Sequence, residues 1–217
     1  MPGAENIAKW FNAAEIDYFS AFIKLWLSFN AWYRNHYSEE YIKKDRDYIN
    51  VIRGIYVNHS QNLKDFDRTD RNIIRKKFLK MITLEQNDIE AREFRRLMEK
   101  FMYLFKDYPI TGHFNGQTKE TKTLEEFFLP KDKSTRAIRM GLTQGKFFSF
   151  GEAPDKFSEG DLVIKNDLEK LYSYTLEIIY QMRNSLVHGD LSYDQWNHER
   201  IKYCYLILYY LMKEVVK

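Results

Sequence analysis

The decisive stretch is "KNDLEKLYSYTLEIIYQMRNSLVHGDLSYDQWNHERIKYCYLILYYLMKEVV", residues 165–216. In its first half Leu168, Leu171, Thr175, Ile178, Met182 and Leu186 recur at spacings of three and four, which predicts one face of a helix over 165–188. In its second half Asn197, Ile201, Cys204, Leu208, Leu211 and Val215 recur in the same way and predict a helix over 193–216. Only the stretch from Gly189 to Ser192 separates them. So short a link makes the two helices antiparallel neighbours.

The same period runs through the rest of the chain. From Ala14 to His36, Phe19, Ile23, Trp26, Asn30 and Tyr33 share a face, with Phe22 and Phe29 beside them. "SEEYIKKDRDYINVIRGIY" follows, with Ser38 as candidate N-cap. Residues 67–82 predict a helix burying Ile73, Ile74, Phe78 and Met81. Residues 87–105 predict another, with Ile89, Phe94, Leu97, Phe101 and Leu104 inward. "TLEEFFLP" reads as a short helix closed by Pro130, and "STRAIRMGL" (134–142) as one more. Residues 143–160 carry Gly145, Gly151, Gly160 and Pro154 and read as a loop insertion. The expected fold is all-α: an antiparallel bundle of four or more main helices with extra short ones. It forms a single domain over 1–217.

Bulk composition narrows the function classes. A chain of 217 residues supports one full core. Four Pro and nine Gly are too few for a turn-rich sandwich or barrel. A net charge of +3 permits a phosphate-bearing partner without demanding one. The single cysteine, Cys204, lies on an apolar stripe and builds neither a disulfide framework nor a zinc site, so no metal and no cofactor is expected. The start of the chain lacks a signal-peptide pattern, and "YCYLILYYLM" is half the length of a bilayer span. A cytoplasmic protein with no membrane partner is expected.

Near the end of the first long helix, Arg183, Asn184, His188 and Asp190 gather around Gly189. At about 100° per residue, Met182 and Leu186 lie in the apolar stripe and Arg183 at its border. Asn184 and His188, four apart, fall on nearly the opposite side, so the core does not consume them. Gly189 suits the left-handed residue that ends a helix. His188 is then at the C-terminus, where the macrodipole favours positive charge. A histidine there can serve general acid–base chemistry. Arg183 offers a planar fork for phosphate oxygens. The plainer reading of the same residues is a helix end with a basic last turn.

"RNSLVHG" resembles the signature of the HEPN superfamily: Arg, a polar residue, a short spacer, then His, near the end of a long helix before a final one. "LWLSFNAWYRNHY" (25–37) is similar to the first helix of the bacterial HEPN group related to Apea-like proteins, where an aromatic-rich W-x-x-F-N-x-x-Y recurs. The resemblance implies an all-α bundle that forms a homodimer with two Arg…His motifs facing one cleft. It also implies metal-independent endoribonuclease activity, in which the RNA 2′-OH attacks the adjacent phosphate and leaves a 2′,3′-cyclic phosphate. Carried over, Arg183 stabilises charge on the pentacovalent phosphate. His188 moves the 2′-OH or leaving-group proton. Asn184 orients one of them. A role as a toxin or defence effector, with RNA as substrate and an antitoxin protein as partner, follows from the same resemblance. Other members bind without cutting, so a non-catalytic RNA- or nucleotide-binding module is the alternative. A structural helical interaction protein is a third.

Asn30 on the first helix is either a hydrogen-bonded core amide or a residue that orients Arg183 or Asn184. Arg34, Asn35 and His36 form a second cluster without the spacer, at a position that ordinarily caps a helix. Asn30, Arg34 and Asp190 are the candidate substrate-binding residues. Basic residues at 68–80 and 92–96 interleave with acids, which reads as a solvated face with i,i+4 pairs; a phosphate-tracking groove is the minority reading. Aromatics of "GKFFSFG" either stack on bases or pack under the loop.

Overall fold

The structure, a computed structural model, describes residues 17–37, 44–54, 72–84, 87–113, 119–132, 134–141, 148–152 and 161–216. Seven helices and five strands appear among them. The helices are α1 (Tyr18–His36), α2 (Asp45–Ile52), α3 (Ile73–Thr83), α4 (Ile89–Phe105), α5 (Leu124–Phe128), α6 (Leu168–His188) and α7 (Gln195–Met212). The strands are β1 (Ile110–His113), β2 (Lys119–Lys122), β3 (Arg136–Gly141), β4 (Phe148–Glu152) and β5 (Asp161–Lys165).

Each long helix starts on a side chain that satisfies an otherwise orphan backbone N–H. Asp17 accepts from Phe19 and Ser20, Asn72 from Arg75, Asp88 from Ala91, Asp167 from Lys170 and Asp194 from Asn197. The Ser38 cap lies outside the described residues; α2 starts seven residues later, at Asp45.

Helix α7 is the hub, packing chiefly on α1 and α4 and also on α3 and α6. The predicted stripes of α6 and α7 hold: Leu171, Thr175, Ile178, Met182, Ile201, Cys204, Leu208 and Leu211 are fully buried. Asn197 is buried too, and its amide donates to Ser192. On α4 the stripe is correct except at Ile89, which is 64% exposed in the first turn. On α1 the buried face is Phe22, Trp26, Phe29 and Tyr33. Phe19 and Ile23 lie at its edge and line an open groove.

The expectation of an all-α fold needs correction, because the bundle carries two small antiparallel sheets. One pairs β1 with β2, setting Ile110 opposite Lys122 and Thr111 opposite Thr121. The other has the order β4-β3-β5. "STRAIRMGL" is therefore a strand, not a short helix. Buried Ile138 and Met140 alternate with half-exposed Arg139, a period of two in a segment too short to show a helical repeat. Its backbone partners come from residues 148–152 and 161–165. The proposed insertion at 143–160 supplies one of these strands, β4, with Phe148 buried and Phe150 exposed. "TLEEFFLP" is α5 as expected, capped by Thr123 and Glu126.

Candidate functional site

Helix α6 ends as the sequence predicts. Gly189 takes φ 75° and ψ 16°. The Asp190 N–H donates to the Ser185 carbonyl at 2.9 Å and the Gly189 N–H to that of Leu186 at 3.4 Å, the paired bonds of a Schellman closure. His188 is thereby the last helical residue and is exposed. It makes no hydrogen bond among the described residues. Asp190 contributes its backbone to this closure; its side chain is exposed and joins none of the other candidates. The next helix is capped by Asp194.

Arg183 behaves differently from His188. Its side chain is 22% exposed, and its Nη1 donates to Asn184 Oδ1 at 2.9 Å. Its guanidinium lies over the Trp26 ring, 5.5 Å from the centroid. Its Nη2 faces Asp45 Oδ2 at 3.9 Å. That distance is an ion pair without a hydrogen bond.

Asp45, the first residue of α2, gathers the candidates on α1. Arg34 pairs with its Oδ1 through Nη2, and Asn30 Nδ2 donates to its Oδ2 at 3.3 Å. Arg34 Nε also donates to Asn30 Oδ1 at 2.8 Å. Asn30 therefore serves Arg34 and Asp45, and reaches Arg183 only through that carboxylate. Arg34 is part of the cluster and not a simple helix cap, whereas His36 stacks on Trp32. Asn30, Arg34, Arg183 and Asn184 come together; His188 and Asp190 stand apart.

Three buried donors at this place lack an acceptor among the described residues: Trp26 Nε1, Tyr33 OH and Arg183 Nε. Burial first, then the nearby Asp45 carboxylate, push the Tyr33 hydroxyl well above its usual range, against the opposing pull of Arg34 and Arg183. It stays a donor. Leaving such donors unpaired costs free energy.

Six residues before Arg183 on α6, Glu177 is fully buried and holds α2 in place. It pairs with Arg53 and Arg46, and Gln181 donates to its Oε1 at 2.6 Å. Gln181 also donates to the Thr111 carbonyl of β1 at 2.6 Å. Burial lowers the Arg53 guanidinium to about 10, against the opposing Glu177 charge. Sequence patterning missed Asp45, Arg46, Tyr33 and Glu177. Acidic residues at a helix start were visible, but no local signal connects Asp45 to Arg183.

The other candidates resolve simply. Cys204 is buried, and burial pushes its thiol up, as suits a packing residue. The basic residues of α3 and α4 form bonds between helices more than i,i+4 pairs. Lys77 pairs with Glu90 and Glu214, Arg75 with Glu169, and Arg95 donates to the Met81 and Leu84 carbonyls. Arg68 and Arg71 lie outside the described residues. Among the described residues no group of three or more His, Cys, Asp or Glu converges as metal ligands. No described helix is long and apolar enough to cross a membrane. Compared with known proteins, the chain matches no family model, no curated protein and no solved structure.

Proposed function

We propose that the protein is a metal-independent endoribonuclease of the HEPN type, acting in the cytoplasm as a homodimer and serving as a toxin or defence effector. The observation that carries this reading is the partly exposed Arg183 guanidinium, held by Asn184 over Trp26 on the turn of α6 that leads to exposed His188. A phosphate oxygen is an acceptor that suits a guanidinium. Arg183, fixed by Asn184 and Asp45, would stabilise negative charge on the phosphate while the 2′-OH attacks. His188 would carry the proton.

Among the described residues no hydrogen bond joins His188 to Arg183, and a second protomer would complete the site. Support comes from the surface next to it. Phe19, Ser20, Ile23, Lys24, Leu186 and Val187 line a mainly apolar groove of about 570 Å³, and Val187 is 53% exposed. An exposed apolar surface of this kind suits a protein contact.

The test is incubation of RNA with the protein in EDTA, with end analysis for cyclic phosphate. Arg183→Ala and His188→Ala are each expected to abolish cleavage. His188→Ala should melt like the parent, because the imidazole holds nothing in place. Cleavage that survives either substitution defeats the proposal. A binding module without cleavage is the second reading, favoured by the ion pair that already occupies Arg183. RNA binding with no cyclic phosphate would select it.

A further inference from the structure

We infer that Arg46 forms a second phosphate subsite, which takes another phosphate of the RNA strand held at Arg183. This inference rests on the proposal that RNA binds at Arg183.

In the seam between α1, α2 and α6, Arg34 and Arg183 face Asp45, and Arg46 and Arg53 face Glu177. Arg53 is fully buried and spends its charge on Glu177. Glu177 also receives Gln181, so its oxygens are satisfied without Arg46. Arg46 nevertheless reaches the same carboxylate, through Nη1 alone, at 2.7 and 2.8 Å. An arginine carries five N–H donors. Those on Nε and Nη2 of Arg46 make no hydrogen bond among the described residues, and the side chain is 28% exposed. Arg46 thus offers a charged fork that its internal ion pair leaves half used.

Its placement matches Arg183. The Arg46 guanidinium lies 4.8 Å from the centroid of Tyr180, and Tyr180 packs 5.9 Å from Trp26, the ring under Arg183. The two guanidiniums therefore flank one aromatic pair. A strand crossing this face would place two of its phosphates on Arg183 and Arg46, with the half-buried Tyr180 ring between them.

The experiment compares two probes that the protein does not cleave: a short oligoribonucleotide methylated at every 2′-oxygen, and a nucleoside 3′-monophosphate. Affinities are measured over a salt series. Arg46→Gln should weaken the oligomer about tenfold and flatten its log–log salt dependence by about one unit. It should leave the monophosphate within about twofold, whereas Arg183→Ala should weaken both. Arg46→Lys should keep the salt slope. If Arg46→Gln melts early, Tyr180→Leu keeps both ion pairs of Glu177 and should weaken the oligomer alone. An unchanged oligomer slope, or equal losses for the two probes, overturns the subsite. A parent protein that binds the oligomer with these signatures yet cuts no unmodified RNA retains the subsite and loses the ribonuclease reading. A parent that binds neither probe loses both.

Discussion

Asp45 Oδ2 stands 3.9 Å from Arg183 Nη2, so the first residue of α2 supplies the carboxylate that faces the arginine of α6. The same carboxylate takes Arg34 and Asn30 from α1. One side chain therefore coordinates three helices, and it tethers Arg183 at long enough range for another anion to compete. Asp45→Ala should cost only about 0.5–1 kcal/mol, because all partners are partly exposed. It should lower RNA cleavage severalfold by freeing the guanidinium to wander. Urea unfolding and cleavage rates on one preparation test the two effects separately.

The groove beside α6 gives a prediction about assembly. Val187→Asp places a charge in the groove that Val187 lines with Phe19, Ile23 and Leu186. Sedimentation should change from dimer to monomer, and cleavage should fall with it. A parent protein that sediments as a monomer at the concentrations where it cuts RNA would contradict the shared cleft.

Glu177 supports the seam from inside. Both it and Arg53 have fully buried side chains. Glu177→Ala would remove the buried carboxylate that faces the buried Arg53 guanidinium, and breaking a buried pair typically costs about 3–5 kcal/mol. The melting temperature should fall by about 10 °C, far more than for Asp45→Ala. A loss no larger than that of Asp45→Ala would show that the pair carries no such role.

Glu99 on α4 predicts a pH dependence. It is 2% exposed, and its Oε1 has no hydrogen-bond partner among the described residues. Burial pushes its carboxyl up to about 8, against the pull of Arg96 and Arg95. The folded state then holds a proton that the unfolded chain releases above pH about 4.3. Stability from this group is fully present below that pH and is lost as pH rises through about 8. Glu99→Gln should therefore raise the melting temperature clearly at pH 9 and change it little at pH 4. Equal shifts at both values would rule out this titration.

Long periodic segments made the helices legible. The stripes of α6 and α7 and the Gly189 closure follow from spacing and from the freedom of one glycine, both local properties. The sheet was not legible. Strand β3 is six residues long, and its identity as a strand depends on partners on either side that the local pattern does not name. The site divided along the same line. Arg183, Asn184 and the exposure of His188 could be read from the α6 wheel. Asp45, Arg46 and Glu177 could not, because their roles arise from packing between α2 and α6, which lie far apart in sequence. At Asp190 the structure shows an exposed side chain and a backbone N–H that closes α6, a bond any residue but proline supplies.

The order of the chain has a consequence for its synthesis. Carboxylates and arginines of α1 and α2 emerge from the ribosome well before α6 exists, and translation proceeds at about 5–20 residues per second. Until α6 emerges, Arg46, Arg53 and Asp45 have no Glu177 or Arg183 to meet. A nascent chain therefore cannot close the seam between α1, α2 and α6 until α6 has been made.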